Sequence, residues 1–269
     1  MKKKALYFSI LFTLIFSAVN SYSQGEYKLK NKLHLACDFF NCDAFGNIYL
    51  VRNQTILKTD SLGTQLAIFD NSKNGRIGLV DLSNPLKIMI FHPETNIIQF
   101  LDRSLSPIDQ EIKLFSLYNE NYDIACTSYS NSLWLYPSNG SLLYRIDNQA
   151  NITSKIELLN QITFDDFKAT QLIEYDNFIY LSNPKVGIII LDRWGAIINQ
   201  IPITFNHSVS VNNDLIYYHR QDTVYCYNPI VFEELPILKS PQKIEQSIVT
   251  KSNIYLKLAN DSIFQYSIW

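Results

Sequence analysis

Asn47-Ile48-Tyr49-Leu50 decides how this chain is read, because it recurs. It returns as Lys87-Ile88-Met89-Ile90, Ser132-Leu133-Trp134-Leu135, Phe178-Ile179-Tyr180-Leu181, Leu215-Ile216-Tyr217-Tyr218 and Asn253-Ile254-Tyr255-Leu256. β-Branched, aliphatic and aromatic residues in a short run suit the pleated surface of a sheet. The second positions of the six copies fall at 48, 88, 133, 179, 216 and 254, so the spacings are 40, 45, 46, 37 and 38 residues.

A second element keeps the same phase. After each copy come a polar loop, another apolar strand and an acidic or amide residue: Asp60, Asp102, Asp147, Asp192 and Asn228 in turn. Asp60-Ser61-Leu62-Gly63 and Asp192-Arg193-Trp194-Gly195 have the form of tight turns, in which Asp caps its own turn and Gly supplies positive φ. A fourth strand is expected after the turn, at 65–69, 112–115, 155–159 and 197–203. A strand also precedes the repeated motif, as at 124–129, 171–175 and 247–250. Four strands on a period of about 40 residues, six times over, predict an all-β fold, a six-bladed β-propeller. The last unit stops after its third strand, at 264–269. The alternating segment 27–33 is expected to supply the missing fourth strand and close the ring, which removes exposed sheet edges. An open β-sandwich would need neither six units in phase nor a spare strand at the opposite end of the chain. The one place for a helical turn is near 163–168.

Residues 1–23 read differently. Lys2, Lys3 and Lys4 precede an apolar run, and Ser21-Tyr22-Ser23 offers small residues at the positions a signal peptidase reads. This predicts a secretory signal peptide at 1–23, a mature propeller at 24–269, and a periplasmic, extracellular or cell-surface location. No second segment is long and apolar enough to span a membrane, so the mature chain is not expected to be an integral membrane protein. Without Lys2–Lys4 the chain keeps 20 basic against 25 acidic residues. That mildly acidic balance gives no global electrostatic reason to bind nucleic acid. Export permits disulfides. Cys37 and Cys42, however, would lie about 17 Å apart in a straight strand and need a turn to pair. Cys126 and Cys226 sit in apolar strand contexts as free thiols.

Asp43-Ala44-Phe45-Gly46-Asn47-Ile48-Tyr49-Leu50, followed by Lys58, Asp60 and Gly63, resembles the repeat of NHL-type six-bladed propellers. The stretch Asp81-Leu82-Ser83-Asn84-Pro85-Leu86-Lys87-Ile88 with Phe100-Leu101-Asp102 is similar to an uncharacterised family of exported bacterial propellers. The resemblance spans most of the mature chain and implies the fold. It brings no catalytic residues, and propellers host unrelated activities, so function has to come from a site.

Four antiparallel strands give the propeller two unlike faces. Turns joining first to second and third to fourth strands share one face, and are short and repetitive. Loops joining second to third strands, and blade to blade, share the other and are irregular. Function concentrates on loops held by a rigid scaffold. The candidate binding residues are therefore Arg52, His92, Glu94, Tyr118, Lys185, His219 and Arg220. Cations, a carboxylate and aromatics together suit an envelope protein or a glycan.

Enzymatic signatures are weak. Asp165-Asp166 reads as a solvated loop pair, and the four histidines have no metal-ligand spacing. Glycine is too scarce for a phosphate-binding loop. Glu174 is the one charged residue well inside a recognisable first strand. No catalytic residue, metal site or cofactor is assigned. The leading expectation is a non-enzymatic binding or scaffold propeller. The alternatives are a hydrolase or lyase acting on a sugar or lactone with ligands from several blades, and a passive part of an envelope assembly.

Overall fold

The repeated motif folds as the second strand of every four-stranded sheet. The structure, a computed structural model, describes residues 27–158 and 161–268; the expected signal peptide lies outside them. After β1 (Lys28–His34), blade 1 comprises β2 (Phe39–Cys42), β3 (Ile48–Arg52), β4 (Thr55–Thr59) and β5 (Gln65–Asp70). Blade 2 comprises β6 (Leu79–Asp81), β7 (Ile88–His92), β8 (Ile97–Leu101) and β9 (Pro107–Lys113). Blade 3 comprises β10 (Tyr122–Ser128), β11 (Ser132–Pro137), β12 (Leu142–Ile146) and β13 (Ile152–Glu157). Blade 4 comprises β14 (Gln171–Tyr175), β15 (Phe178–Asn183), β16 (Gly187–Asp192) and β17 (Ile197–Ile201). Blade 5 comprises β18 (Asn206–Asn212), β19 (Leu215–Arg220), β20 (Thr223–Asn228) and β21 (Glu233–Lys239). Blade 6 comprises β22 (Ile244–Val249), β23 (Asn253–Leu258) and β24 (Ser262–Ser267), and is completed by β1 in the order β22-β23-β24-β1.

That last pairing is the closure expected from sequence. β1 runs antiparallel to β24, with Lys28 opposite Ser267 and His34 opposite Ser262. The repeated motif is apolar at consecutive positions because neighbouring blades cover both faces of the second strand. Ile48, Ile88, Ile179, Ile216 and Ile254 are all completely buried, and Leu133 nearly so. Each such side chain contributes about 1.5–3 kcal/mol on leaving water. The phased Asp and Asn residues cap their turns as expected. Asp60 Oδ1 accepts from Leu62 N and Thr64 N at 2.8 Å each, and Asp192 Oδ1 from Trp194 N and Ala196 N at 2.9 Å each. Asp102, Asp147 and Asn228 do the same.

The first strands pack around the axis, and a side chain joins each to the next. Asn41 Nδ2 donates to Val80 O at 2.9 Å, blade 1 to blade 2. Asp81 Oδ2 accepts from Thr127 N at 2.7 Å, blade 2 to blade 3. Glu174 Oε1 accepts from Tyr129 N at 3.3 Å, blade 4 to the end of β10 in blade 3. Gln171 accepts from Val209 N at 2.9 Å and donates to Val209 O at 3.0 Å, blade 4 to blade 5. Ser210 Oγ accepts from Val249 N at 3.1 Å, blade 5 to blade 6. Gln246 closes the circle on Phe40 of blade 1 with two bonds, at 3.0 and 2.9 Å. Polar residues of the inner strands thus satisfy backbone groups at all six junctions. Glu174, singled out in the sequence as a lone inner charge, is one of these braces and also accepts from Trp134 Nε1.

Three expectations are corrected. The fourth strand of blade 2 is Pro107–Lys113 rather than 112–115, because Leu114 and Phe115 turn into a short helix, α1 (Leu114–Tyr118). Leu114 N donates to Asn96 O at 2.9 Å, Leu114 is buried, and one helical turn leaves Phe115 and Leu117 exposed. Asn119, left-handed at φ 52°, ends the helix by donating its N–H to Phe115 O. Residues 163–168 form bends and turns, not a helix; Phe164 and Phe167 pack there with ring centroids 6.0 Å apart. The fourth strand of blade 3 is Ile152–Glu157, three residues earlier than expected, with a bulge between Arg145 and Ile146. All four cysteines are free, Cys37, Cys42 and Cys126 buried and Cys226 half-buried.

Candidate loop-face site between blades 4, 5 and 6

Arg220 is the last residue of β19, before the two-residue turn Gln221-Asp222. Its guanidinium pairs with Glu234 of β21 and lies over the Tyr225 ring, 4.3 Å from the centroid. Tyr218 donates its hydroxyl to the same Glu234 carboxylate, and its ring stacks on Tyr225 at 5.9 Å and 17°. Arg220 is therefore held by a carboxylate and two aromatic rings, which fixes a long cation that would otherwise lose rotamer entropy on binding. Beside it opens a cleft of about 480 Å³, walled by Thr204, Phe205 and Asn206 from the blade 4–5 connection and by Arg220 to Thr223 and Tyr225. Gln221 N donates to Asn206 Oδ1 at 2.8 Å and pins the two walls together.

Alternation along β19 sends the neighbouring His219 to the other side, where it is completely buried. Its Nδ1 lies 2.9 Å from Ser247 Oγ on β22. Burial first, and then the nearby His207, push its pKa down to about 4, so the ring is neutral. His207, on inner strand β18 at φ 65°, keeps an accessible ring, and its pKa is lowered by the protein packed around it and by Lys257. Lys257 of β23 has only 7% of its side chain exposed; it bonds Glu245 on inner strand β22 and lies 3.8 Å from Asp261. Burial opposes its charge, yet Glu245 and Asp261 outweigh that and hold its pKa above the ordinary value. Burial also pushes the Cys37 thiol up to about 11, against the pull of Lys257. A neutral buried imidazole, a second imidazole of lowered pKa and a paired ammonium–carboxylate thus gather at the loop-face ends of blades 5 and 6.

The remaining sequence candidates do not join this group. Arg52 is exposed at the end of β3 in blade 1, and Lys185 is exposed in the β15–β16 turn of blade 4. Glu94 is exposed in the β7–β8 turn. His92 is completely buried, with Nδ1 3.1 Å from Gly75 O; burial lowers its pKa, and it ties down the connection between blades 1 and 2. Tyr118 is half-buried at the end of α1; its hydroxyl donates to Ala150 O and its ring meets Tyr122 edge-on at 6.1 Å. Of the sequence candidates, Arg220 alone lines the cleft, with His219 buried on the opposite side of the same strand.

Many solved structures share this architecture. The chain is similar to a Bacteroides thetaiotaomicron protein of unknown function, at TM-score 0.65 and 9% identity over 90% of this chain and 73% of that one. It is similar to the β-propeller domain of Myceliophteria thermophila Cps50 (Swd1), at 0.64 and 8% over 90% and 100%. An inactive virginiamycin B lyase from Staphylococcus aureus, solved with quinupristin, gives 0.61 and 13% over 91% and 100%. At such identities the shared property is the propeller fold. No family model and no curated protein matches the chain.

Sequence reading missed Glu245 and Lys257. Lys257 carried a signal, as a lone charge in Ile254-Tyr255-Leu256-Lys257-Leu258, a strand otherwise buried. Such a charge has to find a partner. Among the described residues, no group of three or more His, Cys, Asp or Glu is placed to hold a metal ion, and no helix is long and apolar enough to cross a membrane.

Proposed function

We propose that this chain is an exported, NHL-like propeller of the cell envelope that works without catalysis, engaging an envelope protein or glycan through its irregular loop face. The observation that carries this reading is the immobilised Arg220–Tyr218–Tyr225 group beside the cleft at the blade 4–5 junction. Arg and Tyr dominate binding hot spots because they offer large contact area and directed hydrogen bonds. Here their ordering cost is met before any partner arrives. Leader and compartment rest on the sequence pattern of residues 1–23.

Chemical cross-linking on intact cells, followed by purification of the tagged protein, tests the reading. The same partner should be recovered with wild type and with a Leu62→Ser variant, an exposed change in a turn of the opposite face, and lost with Arg220→Ala and with Arg52→Glu/Lys185→Glu. Partners unchanged by both loop-face variants would overturn it.

A second reading is a hydrolase or lyase acting on a sugar or lactone. The polar group formed by His207, His219 and the Lys257–Glu245 pair at one end of blades 5 and 6 is the observation that favours it. It requires turnover that disappears in His207→Ala while the fold persists.

A further inference from the structure

The opposite face, built of short turns, holds a second cleft. It has a volume of about 390 Å³ and opens among the turns that join first to second strands in blades 2, 3 and 4. Its size falls within the roughly 300–1,000 Å³ of small-molecule sites.

Its walls are pre-set. Both oxygens of Asp81 are occupied, one by Ser83 N at 2.9 Å and the other by Thr127 N and Oγ1 at 2.7 Å each. Glu174 is occupied by Trp134 Nε1 and Tyr129 N. Beside these lies a ladder of alternating aromatic rings and guanidiniums. Arg145 is 6.0 Å from the Trp134 ring and 3.8 Å from the Tyr129 ring; Arg193 is 4.3 Å from the Tyr129 ring and 5.6 Å from the Trp194 ring. Each step adds cation–π attraction. The two cations are further engaged by neutral acceptors: Arg145 donates to Ser128 Oγ and Tyr129 O, and Arg193 to Asn177 Oδ1 at 3.3 Å. The ladder ends on Trp194, 79% exposed at the turn of blade 4.

The groups left over define the ligand. Asn131 and Asp176 line the cleft, and neither side chain makes a hydrogen bond or ion pair among the described residues. Lys87, the cleft's one lining cation, is paired with Asp109 at 2.7 Å. Within the lining the unpaired charge is a carboxylate, while the guanidiniums of Arg145 and Arg193 lie outside it, flat against rings and neutral acceptors, so phosphates, acidic glycans and nucleic acid are poor matches for the cleft itself. The Ser83 and Thr127 hydroxyls, whose protons are committed to Asp81, keep lone pairs that accept; with the amides of Asn84 and Asn131 and the Asp176 carboxylate they present donors and acceptors that a polyol satisfies. A flat exposed indole beside them offers an apolar platform for a ring with a polar edge.

We infer that this turn-face cleft binds a neutral oligosaccharide, with hydroxyls of one unit bonded to Asn131 and Asp176 and a following unit laid on Trp194. The site is distinct from the loop-face cleft and does not depend on its occupant.

The test is binding of the purified chain to an array of neutral hexose and N-acetylhexosamine oligosaccharides of three to six units, with sulfated and sialylated glycans and a lysine-rich peptide as controls. Wild type should retain at least one neutral oligosaccharide and none of the controls preferentially. Trp194→Ala, an exposed change, should weaken that binding at least tenfold. Asn131→Gly and Asp176→Gly should do likewise; both positions have positive φ, 54° and 46°, so glycine removes the side chain while suiting the backbone. Ile68→Thr, an exposed change on the outer strand of blade 1, should bind as wild type does. No retention of any neutral oligosaccharide, preference for a charged control, or equal binding by the Trp194 and glycine variants would each overturn the proposal.

Discussion

Gln246 and Phe40 stand 206 residues apart in sequence and exchange two hydrogen bonds, the side-chain amide taking the Phe40 N–H at 3.0 Å and donating to its carbonyl at 2.9 Å. The same motif, Gln171 on Val209, joins blades 4 and 5. Where an inner strand has no lateral sheet partner, an amide side chain supplies one. Replacing Gln246 by Leu keeps the volume but strands two backbone groups in a buried junction. Each costs about 1–3 kcal/mol, so Gln246→Leu should lose roughly 2–6 kcal/mol in urea unfolding. An effect as small as that of an exposed substitution would show that water replaces the amide.

Blade 6 depends on a strand from the other end of the chain. Deleting residues 27–34 removes β1 and bares the edge of β24, from Ser262 to Ser267. A bare edge pairs with another chain. The truncated protein should melt well below wild type and form dimers or larger species by light scattering. A monomer with unchanged melting would mean that three strands suffice in this blade.

Repeat, blade count and closure were legible because they are written locally. Ile48 and its five counterparts recur at a fixed period, and Asp60 or Asp192 caps a turn only two to four residues away. The helix at Leu114–Tyr118 was not legible, since a single exposed turn has no periodicity to read. The candidate site was legible in part. Arg220 and His219 follow a recognisable second strand, but their partners Glu234 and Ser247 lie on other strands, in a register sequence does not announce. His92 resembled a loop residue because it ends its strand, and only the carbonyl of Gly75 in the adjoining blade connection explains why it turns inward. The turn-face cleft was hidden for the same reason: its walls come from three blades.

Gly187 opens β16 at φ +149°, and a Cβ there would stand 2.2 Å from the carbonyl oxygen of Ile201 on β17. Backbone on a paired strand cannot yield as a flexible side chain does. Gly187→Ala should therefore cost about 2–4 kcal/mol, well beyond an ordinary surface change, and should loosen the β16–β17 edge first. Hydrogen exchange at Ile188 and Ile201 would report that loosening, and protection equal to wild type would refute it.

Stability should fall on mild acidification. The buried His219 titrates at about 4 in the folded chain and near 6.5 when unfolded. The unfolded state therefore takes up its proton first. The stabilisation is complete above pH 6.5, shrinks as pH falls from 6.5 to 4, and is gone below 4, a change of roughly 3 kcal/mol from this group. The pKa values of buried His92 and of His207 are also lowered and act in the same direction. Urea unfolding between pH 4 and 7.5 should show the decline, and His219→Gln should flatten it by removing the group that titrates. A wild-type curve level across that window would mean that the His219 pKa is not lowered by folding, and a variant curve as steep as wild type would assign the slope to other groups.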